Sequence, residues 1–187
     1  MCSLAATEVG RAVRPAAAVP ARGIIVVGVG NPILGDDGVG WRIAEALDHL
    51  LTQDPALGQK VGPVEIEELA VGGLQLMEHL IGYARAILVD ASCDGRPPGT
   101  IWSAPIDAQT TRGSAHLDSA HDVSLVTAIA AGKALGAVLP ESLHFVGVSV
   151  ANDRVGEFSE RLSAAVAAAV EPAVNVVVGL LLAAHDA

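Results

Sequence analysis

Two consecutive carboxylates, Asp36 and Asp37, close a glycine-rich run, Gly28-Val29-Gly30-Asn31-Pro32-Ile33-Leu34-Gly35-Asp36-Asp37-Gly38-Val39-Gly40. A third, Asp90, ends the apolar run Ala86-Ile87-Leu88-Val89, and an imidazole, His121, stands in Ser119-Ala120-His121-Asp122. Together Asp37, Asp90 and His121 offer two carboxylates and one imidazole from three separated segments. That oxygen, oxygen and nitrogen set suits a borderline divalent cation with open positions, where a carboxylate or a metal-bound water acts on a carbonyl. Each residue also has an ordinary structural reading. Acids before a helix cap it and complement its dipole, and an acid at a strand tip caps a turn. Cys93 is either a soft ligand or a small buried filler. His116 competes with His121, and Asp122 reads as the N-cap of the helix that follows.

These residues need a scaffold, and the hydrophobic patterning describes one. Residues 24–29 form a continuous β-branched run, the signature of a strand covered on both faces. Val39, Ile43, Ala46, Leu47 and Leu50 then form one apolar stripe, with Arg42, Glu45 and Asp48 off it, which predicts an amphipathic helix. The alternation continues with a strand over 63–69, a short helix over 74–81, a buried strand over 85–90 and a short strand over 100–103. A helix over 122–135, a strand over 143–150 and a long Ala-rich helix over 157–184, whole or broken at Pro172, complete it. Between them, residues 104–120 are polar and irregular, long enough for a functional loop.

Strands alternating with helices predict an α/β three-layer sandwich. A mostly parallel twisted sheet of about five strands lies between two helical layers. In such sheets ligands bind beyond the carboxyl ends of the strands, where Asp37 and Asp90 fall.

The glycine run invites comparison with a dinucleotide fingerprint, but Ile33 stands where the third glycine belongs. Two carboxylates at the helix start would also repel a pyrophosphate. A nucleotide-binding α/β module is therefore the weaker reading, and a catalytically inactive docking protein, with Trp41 off the stripe of its helix, is another.

Composition narrows the partners. With 187 residues, 11 Lys and Arg against 21 Asp and Glu and a formal net charge of −10, the chain lacks the basic face that nucleic acid or an anionic membrane requires. Two cysteines, Cys2 and Cys93, do not make a disulfide framework and fit a reducing, cytoplasmic setting. Residues 1–22 read as a flexible Ala/Pro-rich tail without a secretory core, and 23–187 as a single α/β domain. The apolar run 173–184 is short of the roughly 20 residues a membrane span needs, so no membrane insertion is expected.

Read together, the runs GVGNPILGDDGVGWRIAEAL, VGGLQLME, AILVDAS, SAHDVSLVTAI, HFVGVSV and AVEPAVNVVVGLLLA resemble the [NiFe]-hydrogenase maturation proteases in order and spacing over about residues 23–184. The resemblance implies an endopeptidase that removes a C-terminal peptide from the hydrogenase large-subunit precursor after nickel insertion. It implies Asp37, Asp90 and His121 as the metal-binding and catalytic residues. Nickel would arrive with the substrate, and no organic cofactor is expected. The first acid is Glu in some members, so Asp37 is one methylene shorter. Gly72-Gly73 matches a glycine pair that lies near the site and admits the substrate backbone. The segment 104–120 matches poorly, so the resemblance assigns no role to His116 or Asp118.

Overall fold

In the computed structural model, residues 22–106, 123–151 and 158–183 are described. The β-branched run forms strand β1, Arg22–Val29, which starts one residue inside the expected tail and is buried from Ile25 onward. Helix α1, Val39–Gln53, lays the predicted stripe of Val39, Ile43 and Leu47 on the core. A helix the patterning did not announce follows, α2, Pro55–Val61. Pro55 sits in its first turn, where no backbone donor is missed, and the Asp54 side chain accepts from Leu57 N.

Strand β2, Val64–Leu69, helix α3, Gly73–His79, and strand β3, Tyr83–Ser92, come next. Strand β4, Ile101–Pro105, helix α4, Leu125–Ala134, strand β5, Ser142–Ser149, and helix α5, Ala164–Ala183, complete the order. Strand β3 is longer at both ends than its apolar run, so Asp90 lies within it rather than at its tip. Ser124, not Asp122, caps α4, its hydroxyl accepting from Thr127 N at 3.4 Å.

Helix α5 begins at Ala164 rather than near 157, and it runs through Pro172 unbroken. An interior proline costs about 3 kcal/mol. Both halves, however, bury the same face: Val166 before the proline, and Val174, Val177 and Leu181 after it. At about 1.5–3 kcal/mol for each fully buried side chain, that packing outweighs the penalty. By length and composition alone α5 is long and apolar enough to span a bilayer, as core helices also can be, although the apolar run 173–184 by itself is too short.

The sheet order is β2-β1-β3-β5-β4, with only the β4–β5 pairing antiparallel. One face carries α1, α2 and α5 over Val26, Ile87, Val89, Val146 and Val148. The other carries α3 and α4 over Ile25, Val27, Ala86, Leu88 and Phe145. The chain leaves β1 for β2 on one side and enters β3 on the other. Right-handed crossovers then put α1 and α3 on opposite faces, so the topological switch point, where such sheets take their ligands, falls between the carboxyl ends of β1 and β3. Asp37 follows the first of these strands and Asp90 lies near the end of the second.

Candidate active site at the carboxyl edge of the sheet

The glycine run turns sharply out of β1. Gly30 takes φ +136°, a conformation that L side chains rarely adopt, and a Cβ there would strike the Asp37 carbonyl. A tight 3-10 turn, Gly35–Gly38, carries Asp36 and Asp37, and both are buried. Gly40 brings α1 into the sheet: a Cβ would collide with the carbonyl oxygens of Val29 and Val89. Val89 precedes Asp90, so this approach sets the acidic turn against the end of β3.

Neither acid caps α1, whose N-cap is Gly38 without a side-chain bond. Asp37 Oδ2 accepts Asn31 N at 2.8 Å, closing the loop on itself. Asp36 Oδ1 accepts Ser163 N at 2.6 Å, just before α5, while its Oδ2 is buried without a hydrogen-bond partner among the described residues. A parallel bridge between Leu34 and Ser159 seals the same seam. The two neighbours thus separate in role. Asp36 ties the loop to the α5 segment, and Asp37 lies in the loop beside the switch point.

Asp90 is 0% exposed, and its Oδ1 accepts the N–H of Ala91 at 2.8 Å. By strand alternation it shares the α3/α4 face with Ala86 and Leu88. Its register partner on β5 is Gly147, which supplies no side chain. Cys93 packs against the α1/α5 side. Burial, and after it the charges of Asp37, Asp90 and Asp94, push its thiol above the usual range. A thiol so placed keeps its proton at neutral pH, which fits a filler.

His121, His116, Asp118 and Asp122 lie outside the described residues. Among the described residues no three His, Cys, Asp or Glu side chains are grouped to hold a metal. Gly72 is extended and precedes α3, and Gly73 takes φ +50°, so the pair turns the chain at the carboxyl end of β2.

The loop does not have the form of a phosphate cradle. The N–H groups of Gly30, Asn31, Ile33, Leu34 and Gly35 are spent on Leu69 O, Asp37 Oδ2, Asn31 Oδ1, Asn31 O and Ser159 O. A phosphate-binding loop needs such donors free.

Spacing gave no sign of a second polar group at this edge. Ser149 Oγ donates to Asp94 at 2.9 and 3.0 Å, Arg96 pairs with Asp94 at 3.3 Å, and the Arg96 guanidinium stacks 4.8 Å from the Trp102 ring centroid. Their common origin at the ends of β3, β4 and β5 is a product of sheet order alone.

An α/β sheet with a buried acidic pair at its switch point defines the class, and comparison with known proteins supplies the family. The family model for hydrogenase maturation protease matches residues 42–180, and the chain belongs to that family. The hydrogenase maturating endopeptidase HybD of E. coli is 28% identical, over 84% of this chain and 91% of that one, with a TM-score of 0.65. A second E. coli endopeptidase structure is also 28% identical, over 82% and 88%, with a TM-score of 0.59. The hydrogenase 2 maturation peptidase of Thaumarchaeota archaeon SCGC_AB-539-E09 is 26% identical, over 86% and 98%, with a TM-score of 0.54. No curated protein sequence matches.

Proposed function

We propose that this protein cleaves a C-terminal peptide from the nickel-loaded large-subunit precursor of a [NiFe] hydrogenase, with Asp37, Asp90 and His121 recognising the nickel. Membership of the maturation proteases supports the peptidase activity. The observation that carries the site is the burial of Asp37 and Asp90, both at most 4% exposed, in the turn that follows β1 and near the carboxyl end of β3. Burying two carboxylates is costly unless a cation or hydrogen bonds compensate, and this edge is where an α/β sheet receives ligands.

The nickel belongs to the substrate. Its recognition by the two carboxylates and the imidazole would bring the neighbouring peptide bond to the switch point. Either a carboxylate removes a proton from the attacking water or the substrate's own metal polarises the carbonyl, and the pH profile of turnover separates the two routes. We assign the reaction to the cytoplasm and away from the membrane, because the chain is acidic and its two cysteines suit a reducing compartment.

The test is incubation with nickel-loaded and nickel-free precursor from the same source, followed by mass spectrometry of the products. Loss of a defined C-terminal peptide from the nickel-loaded form alone is the expected result. Cleavage of both forms would remove nickel recognition, and cleavage of neither would remove the proposed activity.

A further inference from the structure

Arg96 lies at the same carboxyl edge, and several residues hold it in place. Asp94, whose side chain is 14% exposed, receives the fully buried Ser149 hydroxyl through both carboxylate oxygens, and it also accepts Arg96 N at 3.0 Å. It then pairs with Arg96 NH1, and the indole of Trp102 supports the guanidinium from beneath. A long exposed arginine ordinarily loses substantial side-chain entropy on being fixed. Here that ordering is already in place, while the Arg96 side chain stays 47% exposed.

The indole lies over Gly147, where a Cβ would strike its pyrrole edge, and Gly147 is the register partner of Asp90. Arg96, Trp102, Gly147 and Asp90 therefore run in sequence across the α3/α4 face. With strands about 4.8 Å apart, Trp102 on β4 lies two strands, roughly 10 Å, from Asp90 on β3, and Arg96 stacks on its ring.

Resting on the function proposed above, we propose that Arg96 is a substrate-binding residue that takes a backbone carbonyl of the polypeptide lying across the Asp37–Asp90 switch point. The chemistry selects a neutral acceptor. Asp94 already meets the charge of Arg96, and Asp36, Asp37 and Asp90 on the same edge repel a further carboxylate. The Nε and NH2 donors have no acceptor among the described residues, and stacking on Trp102 fixes the plane from which either one donates to a carbonyl oxygen.

Steady-state processing of the nickel-loaded precursor tests this, using the full chain and the variants Arg96→Gln, Arg96→Lys, Asp94→Asn and the Arg96→Gln/Asp94→Asn double variant. Lys60→Gln, on α2 away from this edge, controls for net charge. Arg96→Gln is expected to raise KM about tenfold, the size of one hydrogen bond, with the loss in KM rather than kcat and with an unchanged Tm. Arg96→Lys should recover only part of the loss, because an ammonium donates to a carbonyl but does not stack on Trp102 as the planar guanidinium does. Asp94→Asn should raise KM less, and the double variant should be no worse than Arg96→Gln. A KM within twofold of wild type in Arg96→Gln overturns the subsite while the proposed function stands. A loss that grows at low salt overturns the carbonyl assignment in favour of a carboxylate. No cleavage by the wild type overturns the proposed function and the subsite with it.

Discussion

Asp36 accepts the backbone N–H of Ser163 at 2.6 Å, joining the acidic turn after β1 to the residue before α5 across 127 positions of chain. The bond is charge-assisted and its acceptor is 2% exposed, which places it among the stronger protein hydrogen bonds. Asp36→Ala is expected to lower stability by about 2 kcal/mol, or about 4–8 °C in Tm for a chain of this size. Asp36→Asn, which retains an oxygen for Ser163 N, should lose less than half of that. Thermal unfolding followed by circular dichroism checks both.

Asp90 and Asp37 call for a different outcome. Each accepts a backbone N–H, from Ala91 and Asn31 respectively, and asparagine retains that acceptor while removing the charge. Asp90→Asn and Asp37→Asn are expected to leave Tm within a few degrees of wild type and to reduce precursor processing more than about 100-fold, the scale of a lost general acid or base. Mass spectrometry of the products alongside thermal unfolding measures both. Turnover near wild type in either variant would remove that residue from the mechanism.

The scaffold of these residues is legible in the sequence because burial writes itself into side-chain type. The run of Ile24 to Val29 is β-branched because both faces of β1 are covered, and the stripe of α1 repeats at helical period because one face meets the sheet. Asp37 and Asp90 stand out for the complementary reason, as charges adjoining apolar runs. The missed features depend on contacts between distant segments. Nothing local to Asp36 points to Ser163, and nothing in Arg96 points to Trp102 or Ser149. The continuity of α5 is ambiguous in sequence because the proline penalty is local while the compensating burial of Val174, Val177 and Leu181 is tertiary. The cap of α4 falls on Ser124 rather than Asp122 because a residue two positions on meets the same capping requirement.

Glycines of opposite function give a second pair of stability predictions. A methyl on Gly40 would press into the carbonyl oxygens of Val29 and Val89, and backbone in a sheet centre cannot yield as a flexible side chain does. Gly40→Ala is therefore expected to destabilise by about 3 kcal/mol, the upper range for overpacking, and to disturb the acidic turn with it. Gly179, inside α5, faces open space: a methyl added there would meet none of the described residues within 4 Å. Gly179→Ala should stabilise by up to about 1 kcal/mol through helix propensity and reduced unfolded-state entropy. Denaturant unfolding midpoints of the two variants should shift in opposite directions.

The Cys93 thiol supplies a pH prediction whose sign follows from its surroundings. Burial first, and the charges of Asp37, Asp90 and Asp94 after it, disfavour the thiolate, so the folded chain holds this proton to higher pH than the ordinary value of 9.0. The folded state then binds more protons than the unfolded state above that value. Stability contributed by Cys93 is complete below about pH 9 and falls as pH rises from there toward the folded pKa. Alkylation by iodoacetamide reports the same shift, because only the thiolate reacts. At about pH 8, just below the ordinary thiol range, peptide mapping is expected to show Cys93 reacting several-fold more slowly than Cys93 in the urea-unfolded chain. Asp90→Asn removes one of the opposing charges and should speed the reaction of the folded protein. Equal rates in folded wild type and Asp90→Asn would separate Cys93 from the charge of Asp90 and leave burial, Asp37 and Asp94 to hold the proton.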